Sequence, residues 1–384
     1  MREVVIVEGV RSPVGRKNGS LKDIRPDDLA AEVLKALVNR AGIDPAMIDD
    51  VILGCVSQIG EQTGDIARVA ALIAGFPIEV PGTTIDRQCG SSQQAVHFAA
   101  QAILSGDMDI VIAGGVESMS RIPIGSSYQG VGLSEKLKSR HEMIHQGLSA
   151  ERIAEKYGFT REELDEFSLQ SHEKALHAQE NGYFDHEIVP IEGSNTEGEK
   201  VSVTEDAGPR KGTSLEALSS LKTVFKEDGV IHAGNSSQIS DGAAALLIMS
   251  REKAEELGLK PRFKILTRTV VGSDPTLMLT GPIPATEKVL KKAGLSIDEI
   301  DVFEVNEAFA SVPLAWLKDT GADPAKLNPN GGAIALGHPL GASGARLMLT
   351  MMSELERTGG KYGLQTMCEG HGMANATIIE RLEA

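Results

Sequence analysis

A helix–turn–strand unit that occurs twice constrains the fold of this 384-residue chain more than any other feature. In the first copy, a helical stretch with Val33-Leu34-Lys35 leads to Ala41-Gly42-Ile43-Asp44 and then to an apolar run. In the second, Val289-Leu290-Lys291 leads to Ala293-Gly294-Leu295 and a similar run. The offset of about 250 residues is too long for a solenoid. The sequence therefore predicts two similar α/β halves, unless two unrelated units of the same kind are alike by coincidence.

Strand-like and helical segments alternate in the first part of the chain. Residues 4–7 and 51–53 are short apolar runs that predict buried strands. Residues 27–40 carry leucine and valine at helical spacing, and residues 109–113 predict a strand that ends at Gly114-Gly115. This alternation indicates a parallel or mostly parallel α/β sheet.

The middle of the chain differs in composition and pattern from the segments on either side of it. Residues 135–179 are rich in charge and helical in pattern, and Thr160 with Glu163 predicts a capping box. Residues 194–208 are polar and typical of a loop. We expect this insertion to cover a site or to form an oligomer contact.

Composition excludes several classes of function. With 41% hydrophobic and 24% charged residues the chain is typical of globular proteins. It contains no run of about 18 apolar residues, so no membrane helix is expected. Residues 1–7 predict neither a signal peptide nor a transit peptide. A net charge of −16 argues against a nucleic-acid surface.

Three cysteines in a chain of this length predict no disulfide framework, and their spacing lacks the paired zinc pattern. A reducing cytoplasm is therefore the expected location, and a catalytic thiol would require it. Glu117 and Glu307 are carboxylates without a supporting His/Asp cluster, so no metal is predicted. Cys55, at the end of a predicted strand, is interpreted as a core residue.

Cys89 is the first candidate catalytic residue. It lies in Asp86-Arg87-Gln88-Cys89-Gly90-Ser91-Ser92 and precedes apolar residues at helical spacing that end at Ser105-Gly106. This places it near a helix N-terminus, where the macrodipole favours a thiolate. A small buried core cysteine is the alternative.

His338 and Cys368 could supply the partners that such a thiol needs, because a nucleophile requires a base and the substrate requires a second acid/base group. His338 lies between Gly337 and Pro339, and proline suits the first turn of a helix. Cys368 follows a strand-like run, and Gly370 behind it can expose an N–H group to an oxyanion. A structural histidine and a buried cysteine are the alternatives.

Asn306 closes the predicted strand at residues 302–305. The carboxyl ends of strands are where α/β sheets place their sites, so its amide could hold a water for an oxyanion. A helix N-cap is the alternative, because asparagine is frequent there.

The four segments, in this order, together with Arg11-Ser12-Pro13-Val14-Gly15 and the run from Gly114 to Ser120, resemble the thiolase family. The resemblance is to the acetyl-CoA acetyltransferase and 3-ketoacyl-CoA thiolase type and covers essentially the whole chain. It implies a five-layered αβαβα fold of two similar halves with an inserted loop domain. The implied parts are residues 1–117 with about 229–250, the insertion 118–228, and residues 251–384.

The resemblance also implies the reaction. A 3-ketoacyl-CoA would be cleaved by coenzyme A to acetyl-CoA and a shortened acyl-CoA, or the reverse Claisen condensation would occur. Cys89 would be the acylated nucleophile, His338 its base and Cys368 the second acid/base. Asn306 would position a water in one oxyanion hole, and the N–H groups of Cys89 and Gly370 would form the other.

Coenzyme A would be a substrate, with no resident cofactor, and the expected assembly is a homodimer or homotetramer. The candidate contacts to coenzyme A are His145, Arg210 and Ser237. Arg210 with Lys211 is the local basic patch that an acidic chain needs for a nucleotide phosphate. The candidate acyl-pocket residues are Met278, Phe309 and His371.

This chain departs from the family pattern at two positions. The family usually has glycine where His371 stands, and short-chain biosynthetic members commonly have methionine where Gln146 stands. His371 is therefore expected to reshape the acyl pocket, and Gln146 to favour a longer or more polar acyl group.

Two other functions remain as alternatives. A condensing ketoacyl synthase shares the repeated halves but generally uses a cysteine with two histidines, so the Cys368 segment and Asn306 favour a thiolase. A non-catalytic acyl-CoA-binding protein would be expected to lose one of the four segments, and all four are present. The sequence predicts neither the preferred acyl group nor the direction of the reaction.

Overall fold

The structure is a computed structural model that describes residues 2–383. Its strands are β1 (Val4–Arg11), β2 (Gly15–Arg16), β3 (Asp50–Gly54), β4 (Gly82–Ile85), β5 (Ile110–Ser118), β6 (Ile191–Ser194), β7 (Lys200–Val203), β8 (Ser240–Ser250), β9 (Phe263–Gly272), β10 (Val302–Val305), β11 (Tyr362–Glu369) and β12 (Met373–Arg381). Its α-helices are α1 (Pro26–Ala41), α2 (Ile66–Ile73), α3 (Ser91–Ser105), α4 (Glu135–Lys138), α5 (Gln146–Tyr157), α6 (Arg161–Glu180), α7 (Leu215–Ser219), α8 (Arg251–Glu256), α9 (Pro282–Ala293), α10 (Ser311–Thr320), α11 (Ala333–Leu336) and α12 (Leu340–Thr358).

The predicted repeat is confirmed by the strand order. The first half runs β1-β8-β5-β3-β4, and the second runs β9-β12-β11-β10 with a parallel bridge from Phe303 to Leu327 in the place of β4. The helices α1 and α9 each end at a left-handed glycine, Gly42 (φ 68°) and Gly294 (φ 71°), and each leads through a short 3-10 turn into an inner strand. The two halves join where β1 pairs briefly with β9.

Successive side chains of each strand face opposite sides of the sheet and pack against different helices, which gives five layers. On β1, Val5 packs in one apolar cluster with α1 and α2, whereas Ile6 packs in another with α3 and α12. On the far side, α9 and α10 cover the outer face of the second half, where Trp316 is fully buried. The helices α3 and α12 therefore form a middle layer between two sheet layers, as the αβαβα prediction requires.

The prediction of a mostly parallel sheet is wrong. The pairs β3–β4, β3–β5 and β10–β11 are parallel, but β1–β8, β5–β8, β11–β12, β9–β12 and β1–β9 are antiparallel. The reason is the connections: β11 and β12 are joined by only Gly370, His371 and Gly372, which is too short for a parallel crossover.

The insertion between β5 and β8 holds helices α4 to α7 and the β6–β7 hairpin. The capping box of Thr160 and Glu163 is confirmed, whereas the predicted loop at 194–208 contains strand β7. A buried Arg11 ties β1 to the insertion, with Nε 2.7 Å from Glu187 and Nη1 2.7 Å from Asp206. Across residues 2–383, no helix has the length and apolar character to cross a membrane.

Strand β5 does not end at Gly114-Gly115 but continues to Ser118. These glycines let backbones approach rather than marking a turn. A Cβ on Gly115 would overlap the carbonyl oxygen of Gly341 and lie 2.7 Å from that of Gly54.

We predict that Gly115→Ala lowers the free energy of unfolding by about 1–3 kcal/mol, because its methyl group meets backbone that cannot rotate away. Urea denaturation measures this. Gly132→Ala is the matched control: no atom lies within 4 Å of its Cβ position, and we expect a change below about 0.5 kcal/mol. Equal stability of the two variants would contradict the interpretation of β5.

Candidate active site

Cys89 lies in a tight loop between β4 and α3, with its side chain buried at 7% exposure. Gly90 is the N-cap of α3, and Gln88 adopts a left-handed φ of 48°. The Ser91 hydroxyl donates to the Gln88 carbonyl at 2.6 Å and accepts from the Arg87 N–H at 2.9 Å. Strained backbone of this kind needs support from its surroundings and is common at functional sites.

His338 is buried in the loop that leads into α12, and its hydrogen bonds define its tautomer. Its Nδ1 lies 2.6 Å from the Ser343 hydroxyl, which donates its one hydrogen to the Pro339 carbonyl at 2.8 Å. Both bonds can exist only if Nδ1 carries the proton. Nε2 is then the free base, 3.4 Å from the Asn306 amide nitrogen.

Asn306 follows β10 directly and is held by its backbone N–H, which donates to the Thr366 carbonyl at 3.2 Å. Its Oδ1 is buried and has no partner among residues 2–383. The N-cap alternative is wrong, since α10 begins at Ser311. The amide is therefore available to a ligand or water beside His338.

Cys368 is fully buried near the end of β11, and Gly370 lies in the turn that follows. A Cβ on Gly370 would lie 2.8 Å from Oε1 of Gln88, so this turn rests on the Cys89 loop. Within residues 2–383, the backbone N–H groups of Cys89 and Gly370 form no hydrogen bond to another residue. They are free donors of the kind that an oxyanion needs.

The structure thus brings the four segments together. Cys89 belongs to one small apolar cluster with Leu340, two residues after His338, and Met367, the neighbour of Cys368. Burial raises the pKa of Cys368 well above its usual value, and the nearby charge of Cys89 is the second cause.

Burial sets the protonation of the site. It raises the pKa of Cys89 to about 12, with the charge of Glu369 as the next cause, and it lowers the pKa of His338 to about 3. Burial thus acts against the thiolate that the N-terminus of α3 is expected to favour. Burial therefore favours a neutral thiol at Cys89 and a neutral imidazole at His338.

Glu117 has a structural role that the sequence did not reveal. Its buried carboxylate accepts from the N–H groups of Val56 (2.9 Å), Ser57 (3.0 Å) and Gly341 (2.9 Å), and from Nε2 of Gln62 (2.8 Å). It therefore fastens the His338 loop of the second half to the first.

Metal-binding groups are not assembled in the part of the chain that the structure describes: no three His, Cys, Asp or Glu side chains form a suitable cluster there. Glu307, the other carboxylate considered, accepts from the Ser171 hydroxyl at 2.7 Å and the Asn328 amide at 2.9 Å.

The other predicted residues lie at different distances from this centre. His145 caps α5 and stacks on Phe225 at 5.1 Å, and Phe225 meets Phe309 edge-on at 5.9 Å. Phe309 and Met278 share an apolar cluster with Cys368. A continuous row of rings thus runs from the insertion to the Cys368 side of the site.

Ser237 adjoins this row, since its N–H donates to the carbonyl of Ala308 at 3.0 Å. Arg210 is exposed and its N–H donates to Nδ1 of His172 at 3.2 Å, with no hydrogen bond or ion pair to the four catalytic segments. Lys211 pairs at the surface with Glu180 at 3.5 Å.

His371 is exposed at the turn between β11 and β12, whereas Met278 and Phe309 are buried. It has a left-handed φ of 65°, and its Nε2 lies 3.2 Å from the hydroxyl of Tyr128 in the insertion. The bond links the β11–β12 turn to the segment after β5.

Comparison with known proteins agrees with this architecture. The family model described as thiolase, N-terminal domain matches residues 4–252, and thiolase, C-terminal domain matches residues 259–381. The steroid 3-ketoacyl-CoA thiolase FadA6 of Mycobacterium tuberculosis is 51% identical over all of this chain and 95% of its own length. The beta-ketoadipyl-CoA thiolase of Acinetobacter baylyi is 46% identical over the full length of both chains.

A solved structure of another protein has the same overall fold. The acetyl-CoA acetyltransferase of Bacillus anthracis superposes with a TM-score of 0.92 at 42% identity, covering 100% of this chain and 99% of that one. Two domain models in their expected order, full-length relatives and a shared fold lead to one conclusion: the chain belongs to the thiolase family.

Proposed function

We propose that this chain is an acyl-CoA C-acyltransferase that cleaves a 3-ketoacyl-CoA with coenzyme A, or runs the reverse Claisen condensation, through an acyl-Cys89 intermediate. The main support for the proposal is that Cys89, His338, Asn306 and Cys368 lie close together in one buried centre. The names of similar proteins, which include 3-ketoacyl-CoA thiolase and beta-ketoadipyl-CoA thiolase, support the same substrate class.

In the first step, Nε2 of His338 takes the proton of Cys89 as the sulfur attacks the keto carbon. The N–H groups of Cys89 and Gly370 hold the oxyanion. The Cα–Cβ bond then breaks, and its electrons pass to the thioester carbonyl as an enolate near His338 and Asn306. Cys368 gives its proton to the enolate carbon, which releases acetyl-CoA.

In the second step, the Cys368 thiolate takes the proton of incoming coenzyme A. The coenzyme A sulfur attacks the acyl group, and Cys89 leaves and regains its proton from His338. No electron sink other than the thioester carbonyl is needed. Donors aimed at the oxyanions can contribute about 3–4 kcal/mol each, which makes them the largest single contribution to the rate.

Coenzyme A would lie along the insertion, with His145 and Ser237 beside the row of rings and Arg210 at the nucleotide end. Arg210 lies close enough to Arg16 that the two guanidinium charges repel each other. Two uncompensated cations on a chain of net charge −16 favour a phosphate group.

We also propose a homodimer or homotetramer in a reducing cytoplasm. Strand β4 is an edge of the sheet, and α2 and α3 pack beside it. These elements and the α2–β4 loop expose apolar side chains, which favours a subunit contact. The exposed residues are Leu72, Ile73, Ile78, Phe98 and Leu104.

We predict that Cys89→Ser lowers thiolysis by more than about a thousandfold, because a serine hydroxyl is not ionised by this imidazole. Cys368→Ser should still allow Cys89 to be acylated, since Cys368 acts after the attack. A 3-ketoacyl-CoA radiolabelled in the acyl part that is transferred measures both: label should remain on Cys368→Ser, leave on addition of coenzyme A in the wild type, and be absent from Cys89→Ser. Wild-type thiolysis by Cys89→Ser would refute the nucleophile.

We predict that Ser343→Ala lowers kcat by roughly 5- to 100-fold with little change in KM, because a buried hydrogen bond worth about 1–3 kcal/mol fixes the tautomer of His338. Steady-state kinetics across pH measures the effect. Ser353→Ala, on the same helix but far along it, is the control. Equal kcat for both variants would contradict the proposed tautomer.

We predict that His371→Gly raises kcat/KM for long 3-ketoacyl-CoA substrates about tenfold relative to acetoacetyl-CoA, because removing the imidazole widens the rim. Glycine also suits the left-handed backbone, so stability should not fall. Tyr128→Phe removes only the partner hydroxyl and tests whether the hydrogen bond contributes. An unchanged preference across chain lengths would show that His371 does not select the acyl group.

A further inference from the structure

Glu369 is a buried carboxyl group that the mechanism does not use. It ends β11 beside Cys368, has no exposed surface, and neither of its oxygens has a hydrogen-bond partner within residues 2–383. An ionised carboxylate in such surroundings would lose its solvation and gain no donor in exchange. The neutral acid is therefore the form that this environment favours.

The side chain points to the Cys89 loop and away from the cluster around Cys368. Successive residues of a strand face opposite sides, so Glu369 shares a face with Met367, which packs with Cys89. A Cβ on Gly90 would overlap Oε1 of Glu369. The carboxyl thus lies directly against the residue that follows Cys89.

Few charged groups near Glu369 oppose or assist the ionisation of its carboxyl group. From the loop before α3, Arg87 favours the carboxylate and Asp86 disfavours it, while burial is the largest influence and raises the pKa of Glu369 to about 8. From β12, Asn375 turns its amide nitrogen to the carbonyl of Gly90 at 2.9 Å. From α3, burial lowers the pKa of His97 to about 3, so that side chain is neutral.

We propose that Glu369 is a positioning residue that acts as a neutral carboxylic acid, and that its ionisation sets an upper pH limit for the reactivity of Cys89. While the acid is protonated, Glu369 adds nothing to the negative charges of Asp86 and Glu117 that already disfavour a Cys89 thiolate. Once it ionises, the carboxylate repels the developing thiolate, consistent with the contribution of its charge to the raised pKa of Cys89. For turnover, the inference rests on the proposed function.

Alkylation of Cys89 by iodoacetamide, followed by mass spectrometry of its peptide, tests this without relying on turnover. The rate follows the thiolate fraction, so in the wild type it should climb with pH, but less steeply between about pH 8 and 9 than below or above that range. In Glu369→Gln the side chain stays neutral, and the climb should continue. We expect equal rates within about twofold near pH 6.5 and a three- to tenfold faster variant near pH 9.5, a shift of about half to one pKa unit.

Glu304→Gln is the matched control. Glu304 is also a buried carboxyl whose pKa is raised by burial to about 8, but its charge is not among the main causes of the raised pKa of Cys89. Its variant should keep the wild-type alkylation profile. Coincident profiles for Glu369→Gln and the wild type would overturn the inference, as would a constant difference at every pH, which indicates a merely structural role. If Glu369→Gln does not fold, a wild-type rate that climbs with the same slope below and above pH 8 would also overturn it.

Turnover separates this inference from the proposed function. If Cys89→Ser retains thiolysis while the alkylation profiles differ as expected, the proposed function fails and the role of Glu369 stands. If Cys89→Ser abolishes thiolysis and the alkylation profiles coincide, the proposed function stands and the role of Glu369 fails.

Discussion

The close approach of α3 and α12 in the middle layer is the constraint on which the site depends. A Cβ on Gly344 of α12 would overlap the backbone nitrogen of Gln93 on α3, and the Ala345 N–H donates to the Ser92 hydroxyl at 2.9 Å. With almost no side chain between them, the two helices start at nearly the same point. The loop before each helix therefore delivers its residue, Cys89 or His338, to the same centre. A repeated half needs only different residues in equivalent loops to build an asymmetric catalytic pair.

Burial is the second general property of this centre, and it acts on every ionisable group in the same direction. Cys89, His338, Cys368 and Glu369 are all driven to their neutral forms by loss of solvation. When these four groups are neutral at rest, the hydrogen-bond donors of the site can stabilise the negative charge that develops during the reaction. The hydrogen bonds of Ser343 to the His338 ring and of Glu117 to the Gly341 N–H are important for the same reason. A neutral imidazole has no ionic attraction to fix its position, so hydrogen bonds must do so.

Much of this arrangement could be predicted from the sequence, since it depends on local signals. The repeated helix–turn–strand unit gave the two halves, and glycine-rich segments gave Cys89, His338 and Gly370. Strand direction could not be predicted, because it depends on which strands become neighbours. Ser343 and Glu369 were missed although each lies beside glycine, because their roles depend on contacts with His338 and with the Cys89 loop that exist only in the folded chain. Ser343 does fall on the first turn of α12 five residues after His338, and that spacing was the one available signal.

The exposed pair His371 and Tyr128 differs from the buried centre in its surroundings. His371 and Tyr128 are exposed, come from the second half and the insertion, and meet through a single hydrogen bond. Changing such residues disturbs no packed layer, so acyl preference can vary while the chemistry beneath stays fixed. A left-handed φ at His371 costs backbone energy that glycine would avoid, and its retention is explained more readily by what the imidazole contacts than by stability. Under the proposed function, we therefore expect the acyl group to be selected where the β11–β12 turn meets the insertion.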